Sequence, residues 1–409
     1  MVGRPVVDDE DLAPVTAFVE GAASSVHACL DRPRLVEAGD HDGYFENRGI
    51  RLPLGDIGYG HAAQKVLGGQ SRALIGLPHG YIAAIAAAPL SHCKLCELTD
   101  FHNTELRELI RDVFASDREY FGDADFPAGR EYRKYWEVAM TLRAFRSLGV
   151  LRDDARVLGI GAGREATIYW LTRHVGKVVA TDLYRTEDNW SDSDSSEDML
   201  TDPGRYWDGE WNADRLEVHH MNALELEFED ESFDAIFSSS SIEHFGDFPD
   251  VRRSVEEMFR VLRPGGVLAL ATEFRLEGDH IGYPGLLRFD EPELRALLLD
   301  GLWWDPATPM DLRISDETAE TAVEMSEAIA DQEAGIRGWS RYPHLVLRHE
   351  QYLWTSVHVA LVKSGLTAAE WRRRSPELPP KVTATERLKR RAYPAVAWGR
   401  RKLGRGPDA

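Results

Sequence analysis

Cysteine is nearly absent from this chain: Cys29, Cys93 and Cys96 are the three among 409 residues. So few argue against a disulfide-stapled scaffold and suit a reducing cytoplasm. Long apolar runs are lacking too. The longest, Tyr81 to Leu90, is mostly alanine and too short to span a bilayer, which takes about 18–20 residues. No basic-then-apolar leader opens the chain. Basic charge is scarce, with 48 Lys/Arg against 69 Asp/Glu and a net charge of −21. That balance excludes wholesale binding to nucleic-acid backbones, which need a positive footprint. What remains is ordinary apolar content, enough for two domains or one elaborated domain.

The charge is unevenly spread. Trp371 to Ala409 holds twelve Lys/Arg against Glu377, Glu386 and Asp408, a net of +9, which leaves −30 for the rest. Tyr393 and Trp398 sit among the basic clusters. Such a tail suits an anionic membrane surface or an acidic partner, or is a solvated terminus.

The most informative stretch runs from Arg156 to Thr172. The apolar run Val157 to Ile160 stops at Gly161-Ala162-Gly163 and passes into a helical pattern. This reads as a buried strand, a tight turn and a helix start. Glycines there let the backbone approach a ligand, and the helix amino end presents free N–H groups. A second apolar run, Lys177 to Asp182, ends on an acid nineteen residues past Gly163. An acid so placed in a βαβ unit can accept both hydroxyls of a ribose, so the ligand expected is an adenosine-containing cofactor. Further along, Arg215 to Ala223 reads as a third strand, and Ser232 to Phe245 as a fourth that enters a loop. Val255 to Leu262 reads as a helix that Arg263-Pro-Gly-Gly266 stops, and Val267 to Glu273 as a fifth strand.

With these four features in order, the chain resembles the class I S-adenosylmethionine-dependent methyltransferases over roughly residues 130 to 365. The features are the Val-Leu-x-x-Gly-x-Gly turn, the acid closing strand two, Phe-Asp-x-x in strand four and Leu-Arg-Pro-Gly-Gly before strand five. The resemblance implies an α/β fold, a Rossmann-like doubly wound sheet of seven strands, with an additional N-terminal α+β region. It divides the chain into residues 1–128, for substrate recognition or dimerisation, a methyltransferase domain at 129–365, and the basic tail at 366–409. It implies S-adenosylmethionine as cofactor and in-line methyl transfer; the basic tail, read as a tether to an anionic surface, ranks a hydroxyl of a sugar, glycan or other small molecule first as acceptor. Cofactor contacts fall on Gly159, Gly161, Ala162, Gly163, Asp182, Leu183, Asn222, Ala223, Ser238 and Ser239. Catalytic roles fall on His244 and Glu243: the imidazole suits a base near neutral pH, or the pair orients the loop.

Departures accompany the resemblance. Gly159 stands where the family often has an acid that orients the cofactor's amino group. Asn222 stands where an Asp commonly lies beside the adenine amino group, and its side-chain oxygen can still accept. Glu165 replaces the third glycine, and its carboxylate would repel a phosphate, which argues against NAD. A binding protein that kept the fold but lost turnover, or another reaction on an adenosine cofactor, stays open.

Elsewhere, Glu131 to Leu148 reads as an amphipathic helix, with Tyr132, Tyr135, Trp136 and Glu137 placed to line the cofactor mouth or to pack in the core. Leu302 onward and Leu353 to Lys363 read as strands six and seven. Ser315 to Gly338 reads as an acidic helical insertion over the acceptor side. Tyr184 to Asp214 is an acidic loop whose Trp190, Trp207 and Trp211 fold over a ligand or stay solvated. His92-Cys93-Lys-Leu-Cys96, near His79 and His102, is half of a zinc pattern with no second half following, so no metal is assigned.

Overall fold

The computed structural model describes residues 90–122, 124–184 and 196–374, together with the backbone of a separate hairpin, Tyr44–Asn47 and Ile50–Pro53. Cys29, His79, Trp190 and the basic tail beyond residue 374 lie outside the described residues.

Ten strands form the main sheet: β1 (Lys94–Leu95), β2 (Arg156–Ile160), β3 (Lys177–Asp182), β4 (Leu216–His220), β5 (Phe233–Ser239), β6 (Leu262–Glu277), β7 (Trp304–Pro306), β8 (Val323–Glu324), β9 (Val346–His349) and β10 (Tyr352–Lys363). Their order is β8-β9-β10-β6-β5-β2-β3-β4, with β1 and β7 also paired to β10. The pairs joining β4, β3, β2, β5 and β6 are all parallel, and β10 lies antiparallel to β6. This is the doubly wound arrangement expected of a Rossmann-like sheet, reversing direction between β2 and β5. That switch point is where such sheets bind ligands, at the carboxyl ends of their strands. All seven expected strands are present; β1, β8 and β9 are additions that the patterns did not announce.

Two boundaries differ from the sequence reading. The helix before strand five spans Phe248–Val261, because Asp247 caps it by accepting from Asp250 N–H at 3.0 Å and Pro249 occupies its first turn. The Arg263 to Gly266 stop does not precede β6 but belongs to it, with a register shift against β5 between Phe233 and Ala235. At sixteen residues, β6 carries its last residues past the end of β5 and into pairing with Leu353 and Trp354 of β10.

The helix expected to be amphipathic is Arg133–Ser147, and it is buried on every side, including Arg133, Glu137, Thr141 and Arg143. One side packs on β10 and β6; another is covered by the helix Thr104–Val113, which buries Leu106, Leu109, Ile110 and Val113. Asn103 caps that covering helix, accepting from Leu106 N–H at 3.1 Å. Asp100 then fastens β1 to the buried helix: it accepts from Lys94 Nζ at 2.6 Å and from Trp136 Nε1 at 2.8 Å. Residues 90–122 thus share the core of the sheet. Tyr135 and Trp136 are fully buried core residues rather than a ligand mouth.

Cys93 and Cys96 belong to core clusters on opposite faces of the sheet. Their odd spacing along extended chain turns the two thiols away from each other, and Cys93 Sγ donates to Ala360 O at 3.3 Å. The acidic insertion is not purely helical. It contains Asp316–Ala319, β8 and Met325–Glu333, and it adds to the sheet beside the amino end of β10, level with the carboxyl end of β6. Among the described residues no helix is long and apolar enough to cross a membrane.

Candidate active site

The turn after β2 is held from two sides. Ala162 N–H donates to Thr181 O at 3.1 Å, and Gly163 N–H donates to Asp182 Oδ2 at 2.9 Å. The other carboxylate oxygen of Asp182 accepts from Leu183 N–H at 2.6 Å, so the carboxylate is oriented before any ligand arrives. Tyr184 closes the far side, donating from its hydroxyl to Gly163 O at 2.7 Å. Gly161 is required here for two reasons. Its φ is +60°, and a Cβ would come 2.6 Å from Ser241 Cβ.

One strand over, Ser238 and Ser239 end β5 with buried hydroxyl oxygens that have no hydrogen-bond partner among the described residues. Such groups are costly unless a ligand or water satisfies them. Leu183 is exposed next to Asp182, an apolar surface beside an oriented carboxylate. Together the turn, the carboxylate, the apolar side chain and the serines fit a nucleoside with a polar extension. The departures are now explicable. A Cβ on Gly159 would lie 2.5 Å from the Phe237 ring, so that ring occupies the direction an acid would take. Asn222 Oδ1 already accepts from Leu224 N–H at 3.0 Å, which leaves one lone pair of that oxygen, and Ala223 beside it is buried.

Trp207 and Trp211 of the acidic loop meet a residue of the core. They pack on Tyr169 of the helix Ala166–Thr172, Trp207 stacked at 5.1 Å and Trp211 edge-on at 5.5 Å between ring centroids. Their apolar surface is spent on that core residue.

The other half lies beyond β5, on the single turn Ile242–His244 and the facing ends of β6, β10 and the Arg133 helix. His244 Nδ1 is 2.8 Å from Gly285 O. A carbonyl can only accept, so Nδ1 carries the proton and the ring's lone pair lies on Nε2. Burial, with Lys134 and Arg288 nearby, lowers its pKa to about 4, so the imidazole is neutral at pH 7. Glu243 is fully buried. It accepts from Thr272 Oγ1 at 2.7 Å, while its Oε1 has no hydrogen-bond partner among the described residues. Burial and the neighbouring Glu273 carboxylate raise it to about 8, so it is protonated at neutral pH.

Glu273, by contrast, is held down at about 2: Arg133 and Lys134 outweigh its burial. Arg133 Nη1 donates to its two oxygens at 2.7 and 2.9 Å, and Lys134 Nζ to Oε1 at 3.3 Å. Glu137 joins the cluster, accepting from Lys134 Nζ at 2.9 Å and from Ser240 Oγ at 2.7 Å.

A stability prediction follows from Glu243. Its folded pKa is raised above the unfolded 4.5, so the native state binds the extra proton between about 4.5 and about 8. Its contribution to stability is therefore complete below 4.5 and is lost as pH rises through about 8. Glu243→Gln, which keeps the neutral form, should gain stability relative to the parent as pH rises across that window. Urea midpoints at pH 5 and pH 8 that shift equally for both proteins would show that the carboxyl is not protonated in the fold.

Residues 158–270 match the family described as Methyltransferase domain. The methyltransferase GfsG of Streptomyces halstedii is 29% identical over 176 residues, covering 43% of this chain and 57% of that protein. A demethylmenaquinone methyltransferase of Clavibacter sepedonicus is 30% identical over 135 residues, 33% of this chain and 46% of its own length. The chain thus spans about half the length of these relatives. Among solved structures, the YcgJ protein of Bacillus subtilis is 19% identical with a TM-score of 0.35, covering 54% of this chain and 97% of that one. Residues 158–270 thus match a methyltransferase domain, and they lie within the doubly wound sheet described above.

Proposed function

We propose that this protein binds S-adenosylmethionine and methylates a hydroxyl of a small molecule, sugars and glycans included. The observation that carries the reading is the Asp182 carboxylate, oriented by Gly163 and Leu183 beside the Gly161 turn, one strand from Ser238 and Ser239. Asp182 would take the ribose hydroxyls, Leu183 would cover the adenine, and the serine hydroxyls would meet the amino-acid end. When bound, the cofactor supplies an electrophilic methyl group. The chain's own part is to position the acceptor oxygen, exclude water and remove its proton. His244 is the group for that last task, since it is neutral and its lone pair is on Nε2. Glu243, protonated and hydrogen-bonded to Thr272, holds the turn that carries His244.

A binding-only role is the second reading, favoured by Phe237 filling the space beside Gly159. Calorimetry with S-adenosylmethionine, S-adenosylhomocysteine and NAD tests the cofactor half. Both sulfur compounds should bind and NAD should not, because Glu165 sits at the amino end of the helix Ala166–Thr172. Binding of NAD alone, or of none of the three, would end the proposal. Methyl transfer to any hydroxyl acceptor would then exclude the binding-only reading.

A further inference from the structure

Arg288 follows a short hairpin, Gly282–Tyr283 paired with Leu286–Leu287, and its backbone is anchored at both polar atoms. Its N–H donates to Ile281 O at 2.6 Å, and its carbonyl accepts from Arg275 Nη1 at 2.7 Å. The side chain is 6% exposed and lies over the Trp354 ring, with the guanidinium carbon 4.1 Å from the ring centre and 5.5 Å from that of Tyr352. Among the described residues this guanidinium donates no hydrogen bond and forms no ion pair. Its neighbours differ. Arg133 and Lys134 are paired with Glu273 and Glu137, and Arg275 with Asp290 and Glu293. A guanidinium carries five donors and keeps its charge almost everywhere, so burying one with only aromatic faces for company is costly. Stacking fixes the plane of the group and leaves its edge, where the donors point, for a ligand.

The other charges that face His244 are paired among themselves. Arg133, Lys134 and Arg288 are cations, while Glu137 and Glu273 are anions. Glu243 is neutral, since burial and Glu273 keep its proton on. Arg133 and Lys134 are thus matched by Glu137 and Glu273, and the Arg288 charge is met by no ion pair among the described residues, close enough to His244 and Glu243 to interact with both electrostatically. A carboxylate matches the planar fork of this unpaired guanidinium with two parallel hydrogen bonds and a single opposite charge.

We propose that Arg288 binds a carboxylate carried by the methyl acceptor, which makes the acceptor a small hydroxy acid rather than a neutral alcohol. This rests on the proposed methyltransferase reading and narrows its substrate class. It also gives the acceptor a part in its own deprotonation. Arg288 is among the groups that depress the His244 pKa, so an anion on Arg288 strengthens the imidazole as a base when the hydroxyl arrives.

The test uses the full chain saturated with S-adenosylhomocysteine and three probes: para-hydroxybenzoate, its methyl ester and para-hydroxyphenyl phosphate. Binding is followed by calorimetry. The carboxylate should bind at least about tenfold more tightly than the ester, the usual scale of a charge-assisted contact. Arg288→Gln should abolish that preference without changing S-adenosylhomocysteine affinity, and Arg288→Lys should retain part of it. Equal binding of acid and ester to the parent protein, or an unchanged preference in Arg288→Gln, overturns the proposal. So does a phosphate probe that outbinds the carboxylate. If Arg288→Gln does not fold, the acid–ester comparison in the parent and the Arg288→Lys variant still decide. Failure to bind S-adenosylhomocysteine would count against the methyltransferase reading; S-adenosylhomocysteine binding without carboxylate binding counts against this proposal alone.

Discussion

His244→Ala is expected to lower turnover by roughly a hundredfold or more, the range for a lost general base, while S-adenosylmethionine affinity changes little. The reason is the contact between Nδ1 and Gly285 O, which fixes one tautomer and puts the lone pair on Nε2. His244→Gln offers the same carbonyl an amide donor but cannot take a proton, so it should be as slow as the alanine variant. A glutamine variant with parental turnover would leave His244 only the holding of the Gly285 segment. The pH profile carries a second sign. A base must be deprotonated to act, so in the parent kcat/KM should fall as pH drops through about 4 and be flat above it. Bound anionic acceptor would move the corresponding limb in kcat upward.

Asp182→Ala should weaken S-adenosylmethionine binding by about 1.5–3 kcal/mol, the scale of charge-assisted hydrogen bonds. Two effects add. The ribose loses its acceptor, and the N–H groups of Gly163 and Leu183 lose the carboxylate that orients them. Asp182→Asn, which keeps one acceptor oxygen, should lie between. Calorimetry showing the parental affinity in the alanine variant would remove the turn after β2 from the cofactor site.

The parts of the molecule that a reader of the sequence can find are those set by near neighbours. The Gly161–Gly163 turn, Asp182 nineteen residues on, and the strands β2, β3, β5 and β6 each announce themselves within a dozen residues, through apolar runs ended by glycine or acid. Helix Arg133–Ser147 misleads for the same reason. Its apolar spacing implies a solvated polar face, yet Arg133 and Glu137 on that face are buried against Glu273 and Ser356, more than a hundred residues away. The signal was there in part: Arg133 and Lys134 stand four and three residues before Glu137, spacings at which helical charges meet. Arg288 left no such trace. Its importance comes from a hairpin that aims it at Trp354, a pairing of distant segments that no local pattern encodes. Likewise Gly159 reads as a missing acid, and only the Phe237 ring shows why an acid has no room there.

The enclosure of the Arg133 helix sets where this protein can be cut. A fragment beginning at residue 129 would keep every segment that resembles a methyltransferase, yet strip away Thr104–Val113 and the partners of Tyr135 and Trp136, namely Phe114, Asp117 and Asp100. The shorter stretch matched by the family, 158–270, would also lose β10 and with it one side of β6. Boundaries drawn by likeness to relatives therefore cut through a shared core rather than around it.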